Sequence, residues 1–385
     1  MSWETVKLGD CCVKIGSGAT PKGGATVYIE TGTALIRSQN VYNLAFDYQG
    51  LTYITEDASN KLNSVTVHEK DVLLNITGDS VARVCMVPNN VLPARVNQHV
   101  AILRTNENLL PEYLLYYLAS PHMQAYMLNL AVGKGASRNA LTKGMIEDFP
   151  LLLPSVEEQK NIVKYLSTYD DLIENNQKQI KLLEEAAQRL YKEWFVDLRF
   201  PGYENTPIID GVPQGWKKVF LGNVTPILTG KKDANFGTDD GDYPFFTCSQ
   251  EPIKAPSYSF DTSAVILAGN GDFNVKLYRG KFEAYQRTYV LSPNEEKHLF
   301  LLYNAVNESM AVLVKGASGS TIKFLTKGMI ESIPMFIPTD ELLERYNNYS
   351  EAVQQKLECL KNAIKNATEA RDRLLPKLMS GELEV

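Results

Sequence analysis

The chain has 385 residues, of which 44% are hydrophobic and 22% charged, and a net charge of −6. That is the composition of a globular protein with room for two domains and their connections, and it excludes a fibrous or disordered chain. The balance also excludes a DNA-binding claim from charge alone: residues 1–154 and 200–338 each carry −1, and 155–199 and 339–385 each carry −2, so a nucleic-acid role needs a locally basic face.

The opening Met1-Ser2-Trp3-Glu4 has no basic or apolar leader region, and no apolar run is long enough to cross a bilayer. Five cysteines, with no CxxC pair, suggest neither a disulfide framework nor a zinc site. The expectation is a reducing cytoplasm.

In chain order, Asp71–Asp79 reads as an apolar strand ending in a glycine turn, Val100–Leu103 as another strand, and Leu109–Leu118 as a helix. Next comes Leu141-Thr-Lys-Gly-Met-Ile-Glu147, which recurs as Leu325-Thr-Lys-Gly-Met-Ile-Glu331. The offset of 184 also carries Pro150 onto Pro334 and Pro154 onto Pro338. Upstream, Gly135-Ala136-Ser137 matches Gly316-Ala317-Ser318, and each half opens on a Trp and a Leu-Gly: Trp3…Leu8-Gly9 and Trp216…Leu221-Gly222. The chain is therefore an internal duplication.

After Pro154 a long helix is expected, with Ser155 as N-cap and Glu158 completing a capping box. Ile162, Leu166, Tyr169, Ile173, Asn176, Ile180, Leu183, Ala187, Leu190 and Trp194 alternate at spacings of four and three, a coiled-coil seam. The same offset gives Tyr346, Ser350, Val353, Leu357, Leu360, Ile364, Ala367, Arg371, Leu374 and Leu378 in a second helix, capped by Thr339 and expected to break at Pro376. Asn176 matches Leu360 and reads as a register device. A helix of about 40 residues reaches on the order of 60 Å. Paired seams require the helices to run antiparallel.

In the second half, Ser263–Asp272 repeats the strand-to-Gly-Asp pattern, Tyr289–Leu291 is the next strand and His298–Asn307 the next helix. Trp3 to Leu141 is 138 residues and Trp216 to Leu325 only 109, so the heads share a plan but have diverged. The expected fold is α+β: two mixed α/β heads, at 1–154 and 200–338, separated by long helices at 155–199 and 339–385 that form an antiparallel coiled coil with pseudo-two-fold symmetry. Constant ends and divergent heads suggest a frame carrying two variable recognition surfaces. Heads about 60 Å apart could touch DNA well over one turn of about 34–36 Å apart.

These residues resemble the specificity subunit of Type I restriction–modification systems. The resemblance covers the whole chain. It rests on the paired Trp…Leu-Gly openings, Gly18-Ala-Thr-Pro21, Gly316-Ala-Ser-Gly-Ser320 leading to Leu325-Thr-Lys-Gly-Met, and Phe149-Pro150…Leu153-Pro154 with Glu157-Glu158-Gln159. Trp194-Phe195-Val-Asp197…Phe200-Pro201-Gly202, the stretch 269–290 and the tail from Leu375-Pro376 to Leu383 complete it. The resemblance implies two target-recognition domains, each reading half of a bipartite double-stranded DNA site. It also implies helices that set the spacing and dock two methyltransferase subunits holding S-adenosylmethionine, with motor–nuclease subunits joining for cleavage.

The residues themselves show no catalytic motif. There is no Asn-Pro-Pro-Tyr/Phe, no GxxxxGK[ST] and no HExxH. The Gly16/Gly18 and Gly133/Gly135 pairs read as turns. No cofactor or metal is expected on this chain.

Base and phosphate contacts need Arg, Lys, Asn, Gln and Ser on loops. In the first head the candidates are Arg37, Ser38 and Asn40, then Asp79 and Arg83, then Arg95, Asn97, Gln98 and His99. In the second they are Lys231, Lys232, Ser249, Asn270, Asp272, Asn274, Lys276, Arg279, Tyr285, Gln286 and Arg287. Gln98 and Gln286 sit at matching places. Any one of these is equally a solvated loop residue. Lys134, Arg138 and Lys143, with Lys315, Lys323 and Lys327, suit either phosphate or a partner subunit. The alternative to a DNA reader is a coiled-coil scaffold joining protein partners.

Overall fold

The computed structural model describes residues 3–132, 139–317, 319 and 323–385. It divides into two compact units, one of Met1–Asn175 with Ala363–Val385 and one of Asn176–Asn362. The division runs through both long helices instead of at their ends.

In the first unit, Val72–Asn75 is a fully buried strand in an antiparallel sheet of four, flanked by Val84–Met86 and by Val100–Thr105, beyond which lies Cys12–Ser17. Side chains alternate across such a sheet, and both faces are covered. Val72, Leu74, Ala101 and Leu103 face the helices Pro111–Ala119 and Pro121–Ala131. Leu73, Val100 and Ile102 face a second sheet of five short strands, in which Thr33–Ile36 and Ala94–Val96 pair in parallel. Two-sided burial explains why these strands read as continuous apolar runs.

The second unit places comparable elements in one six-stranded sheet, ordered Ile227–Thr229, Thr288–Leu291, Phe260–Ala268, Val275–Ala284, Tyr243–Phe246 and Ile253–Ala255. Its one parallel pairing, Phe246 with Ala284, corresponds to that of Ile36 with Val96. Val265, Leu267 and Leu291 pack on the helix Leu299–Gly316, which is longer than expected from sequence.

The joining segment is the same object in both units. The strand Glu4–Lys7 pairs with Pro150–Leu153, and Lys217–Phe220 with Pro334–Ile337, in the same antiparallel register. Thr142 Oγ1 accepts from Met145 N at 3.3 Å, and Thr326 Oγ1 from Met329 N at 3.4 Å. Each hydroxyl caps one short helix, Lys143–Glu147 or Lys327–Glu331.

The central helix spans Val156–Tyr191 and continues as a π-helical turn, Lys192–Val196; the C-terminal helix spans Asp340–Met379. The capping box is present: Ser155 N donates to Glu158 Oε2 (2.9 Å) and Glu158 N to Ser155 Oγ (3.3 Å). The helices run antiparallel in each unit. In the first, Asn161 Nδ2 donates to Val385 O while Arg371 bonds Asp170. In the second, Tyr191 packs tilted and Phe195 edge-on against Tyr346, while Glu184 and Ala187 share a cavity with Val353 and Leu357. Seam residues Ile162, Leu166, Asn176, Val353, Leu357, Leu360 and Ala367 are buried. Among the described residues the Asn176 amide nitrogen has no partner, as befits a polar break in an apolar seam.

Pro376 does not end the helix. Its missing N–H forfeits one bond, but Leu375, Leu378 and Met379 pack with Ile162 and Leu166, and that burial holds the final turn. Gly16 and Gly18 do not form the turn expected of them either. Gly16 lies in the strand Cys12–Ser17, and a Cβ on Gly18 would meet Val96 O at 1.7 Å. Gly133, Gly135, Lys134 and Arg138 lie outside the described residues.

Candidate nucleic-acid interface

Each head brings three loops together, and shared backbone hydrogen bonds align them between heads. Asn97 N donates to Ile36 O (3.0 Å), as Tyr285 N does to Phe246 O (2.9 Å). Ile76 N donates to His99 O (3.0 Å), as Gly269 N does to Arg287 O (2.9 Å). Leu141 N donates to Ile76 O and Leu325 N to Gly269 O, both at 2.8 Å. Loop 37–40 therefore corresponds to 247–250, Thr77–Ser80 to Asn270–Phe273, and Asn97–His99 to Tyr285–Arg287. Gly78 and Gly271 both adopt positive φ, +75° and +68°, which a side chain would resist.

In the first head these loops surround a concavity of about 570 Å³ lined by Ser38, Gln39, Tyr42, Thr77, Gly78, Asp79, Ser80, Arg83, His99, Asn139 and Ala140. Arg83 lies over the Tyr42 ring at 4.5 Å, so its charge is held at the wall. A run of side chains leads away from its lining: His99 Nδ1 meets Thr77 Oγ1 at 2.5 Å, His99 Nε2 meets Gln98 Nε2 at 3.0 Å, and Thr20 Oγ1 donates to Gln98 Oε1.

In the second head the corresponding concavity, about 380 Å³, is lined by Thr229, Gly269, Asn270, Gln286, Arg287, Tyr289, Phe324 and Leu325. Next to it Ser249, Asn274 and Lys276 form one network: Lys276 Nζ donates to Ser249 O (2.8 Å) and to Asn274 Oδ1, and Asn274 Nδ2 donates to Asp272 O (2.6 Å). Burial pulls the Lys276 ammonium below its ordinary pKa, opposed by Glu251 and Asp272. Gln250 Nε2 donates to Asp272 Oδ2 (2.6 Å), and Cys248 Sγ to Asn270 Oδ1 (2.9 Å). Lys231 is exposed, while Lys232 is half-buried over Phe236 at 4.2 Å. Tyr285 is half-buried and fixes the turn through its backbone.

The structure therefore brings together Ser38, Asp79, Arg83, Gln98 and His99 in one head. In the other it gathers Ser249, Asn270, Asp272, Asn274, Lys276, Gln286 and Arg287, with Lys231 and Lys232 beside them.

Five candidates are placed elsewhere. Asn40 is fully buried, and its amide holds the loop through Arg37 N, Asp47 O and Gln49 O. Arg95 is 7% exposed and bonds Ser59 O, Ala94 O and Asn63 Oδ1. Asn97 is also buried and accepts from His99 N at 3.0 Å, which shapes the turn. Arg279 forks onto Glu351 of the C-terminal helix at 2.9 and 3.0 Å, which raises its pKa further. Arg37 Nη2 donates to Gly50 O (2.7 Å) and braces its own loop. Arg37, Asn40 and Asn97 thus brace the loops, whereas Arg95 and Arg279 are tied to other elements. Tyr42, Asn139 and Phe324 were missed; the last two stand just upstream of the repeated heptapeptide.

Among the described residues no cluster of His, Cys, Asp and Glu could hold a metal, and no helix is long and apolar enough to cross a membrane. The five cysteines are free.

The duplicated chain matches a known family model, the Type I restriction modification DNA specificity domain, over residues 1–185 and again over 213–368. The chain belongs to that family. Its role is that of a DNA sequence-specificity subunit. The Type I restriction enzyme EcoDI specificity subunit of Escherichia coli is 40% identical over 179 residues, 45% of this chain and 39% of that protein. The MjaIX specificity subunit of Methanocaldococcus jannaschii is 25% identical over 100% of this chain and 94% of its own length. A crystal structure of the Type-I restriction-modification S subunit from M. genitalium matches 98% of this chain and 96% of that one, at a TM-score of 0.60 and 14% identity, a likeness of fold.

Proposed function

We propose that each head of this specificity subunit reads one half of a bipartite double-stranded DNA site through its three-loop concavity. The paired helices set the distance between half-sites and dock two methyltransferase subunits, which carry S-adenosylmethionine. Motor–nuclease subunits join these for cleavage, and the chain itself does no chemistry. The observation that carries this reading is the alignment of the three loops in both heads, hydrogen bond for hydrogen bond, around different side chains.

Docking on the helices is supported by Tyr165 and Leu172. They lie seven residues apart on one helix face, and they are 53% and 44% exposed although apolar. The near-neutral heads give the isolated chain few phosphate contacts, so it should bind DNA weakly until its partners join.

The test is to co-express the chain with its methyltransferase partner and map methylated adenines in the host genome. Two short motifs at a fixed separation are expected. A single continuous motif, or complex formation with no sequence preference at any salt, favours the scaffold reading.

A further inference from the structure

The two heads differ most sharply at one aligned turn. Val100 N donates to Asn97 O (3.3 Å) and Thr288 N to Tyr285 O (2.8 Å), so residues 98–99 and 286–287 occupy the same two corner positions. The first corner residue is glutamine in both heads. The second is His99 in one and Arg287 in the other.

Their surroundings differ in kind. His99 has both ring nitrogens engaged, Nε2 with Gln98 and Nδ1 with Thr77 Oγ1, and Gln98 is held in turn by Thr20. This corner is closed on itself. Arg287 is exposed at the rim of its concavity, and its guanidinium has no partner among the described residues. Its backbone is nevertheless fixed, since Arg287 O accepts from Gly269 N (2.9 Å) and Thr288 is buried beneath it.

A free, rigidly based guanidinium offers two parallel donors. In the DNA major groove, guanine presents two matching acceptors, N7 and O6. We infer that Arg287 reads a guanine in the second half-site, and that His99 leaves the first half-site without a counterpart at the aligned position. This rests on the proposed three-loop reading surface. It goes further by naming a base and by giving one position that makes the two half-sites unlike.

The experiment uses the complex with the methyltransferase partner. Bound sites are selected from a randomised duplex library, with the native chain, Arg287→Lys and Arg287→Ala in parallel. Arg287 is exposed and unpartnered, so neither change should disturb the fold. Lysine keeps the charge but not the fork. Arg287→Ala is expected to lose an about 10- to 100-fold preference for G·C at one position of the second half-site, and Arg287→Lys to lose part of it. The first half-site and the spacing should stay as they are.

Retention of the full preference by Arg287→Ala overturns the inference. So does uniform weakening on all sequences, a lost preference at a base pair other than G·C, or a change in the first half-site. If the native complex selects no two-part site, the three-loop reading itself fails, which is a distinguishable result.

Discussion

The joining segments and the reading loops meet in each copy, where Leu141 N bonds Ile76 O and Leu325 N bonds Gly269 O, yet they have diverged to very different degrees. In the joining segments the strand register, the threonine cap and the lysine–glutamate pair recur within about 0.1 Å. In the loops the backbone bonds recur, and Asp79 matches Asp272 and Gln98 matches Gln286, but most side chains differ: Ser38 stands against Cys248, Thr77 against Asn270, and His99 against Arg287. A backbone so constrained can present new side chains without refolding. That separates the holding of a surface from the reading done on it.

Substitutions can break or sharpen that comparison. The largest effect is expected where the loops depend on bare backbone. A Cβ at Gly18 would lie 1.7 Å from Val96 O, and at Gly230 1.9 Å from Ala284 O. Gly18→Ala and Gly230→Ala should each cost more than about 3 kcal/mol in denaturant unfolding of the complex. Each should spare the opposite half-site. A tolerated alanine at either position would show that the turns are not held as described.

The helix frame is less symmetric than the joining segments, and the next prediction exploits this. Arg371 Nη1 donates to Asp170 Oδ1 at 2.6 Å, and Tyr116 OH to Asp170 Oδ2 at 2.5 Å, so a partly buried triad ties the first head to its helices. The matching positions in the second unit are Ala187 and Gln354, which border a cavity of about 210 Å³. Arg371→Ala should cost about 2 kcal/mol, since it strips a charged partner from Asp170. Gln354→Ala should cost less than about 0.5 kcal/mol, as for a surface change with no buried partner. Equal losses would mean that the triad does not distinguish the units.

The caps should behave alike. Thr142→Ala and Thr326→Ala should each lower stability by about 1 kcal/mol, and a clear inequality would argue against the joining segments being one repeated object. The smallest effect belongs to the exposed pairs Lys143–Glu147 and Lys327–Glu331, both at 3.5 Å. Lysine-to-alanine changes there should move stability by about 0.3 kcal/mol and vanish in high salt. A larger effect that appears only with the methyltransferase bound would place these lysines at the docking surface.

Much of the fold was legible because its signals are local or repeated. The heptapeptide at 141–147 and 325–331, the seam and the Ser155–Glu158 box need no knowledge of distant contacts. Arg95 was misplaced because its partners, Ser59 and Asn63, are more than thirty residues away in sequence. Arg279 was misplaced for the same reason: Glu351 lies 72 residues on. Asn40 looked like a loop donor, but its bonds close a turn at 47–49 that only the folded chain reveals. Pro376 followed the usual rule for helix ends until the core of the first unit, through Leu375 and Leu378, outweighed it. Asp79 and Arg83 on one stretch and His99 on another could each be picked as loop candidates, but their meeting around one concavity depends on sheet order, which no sequence periodicity encodes.

The claim that each head reads its own half-site is tested most directly by changing one concavity alone. Duplexes selected by the complex carrying Asp79→Ala together with Arg83→Ala should show a degenerate first half-site, an intact second half-site and an unchanged separation. Degeneracy in both half-sites, or in neither, would contradict the account.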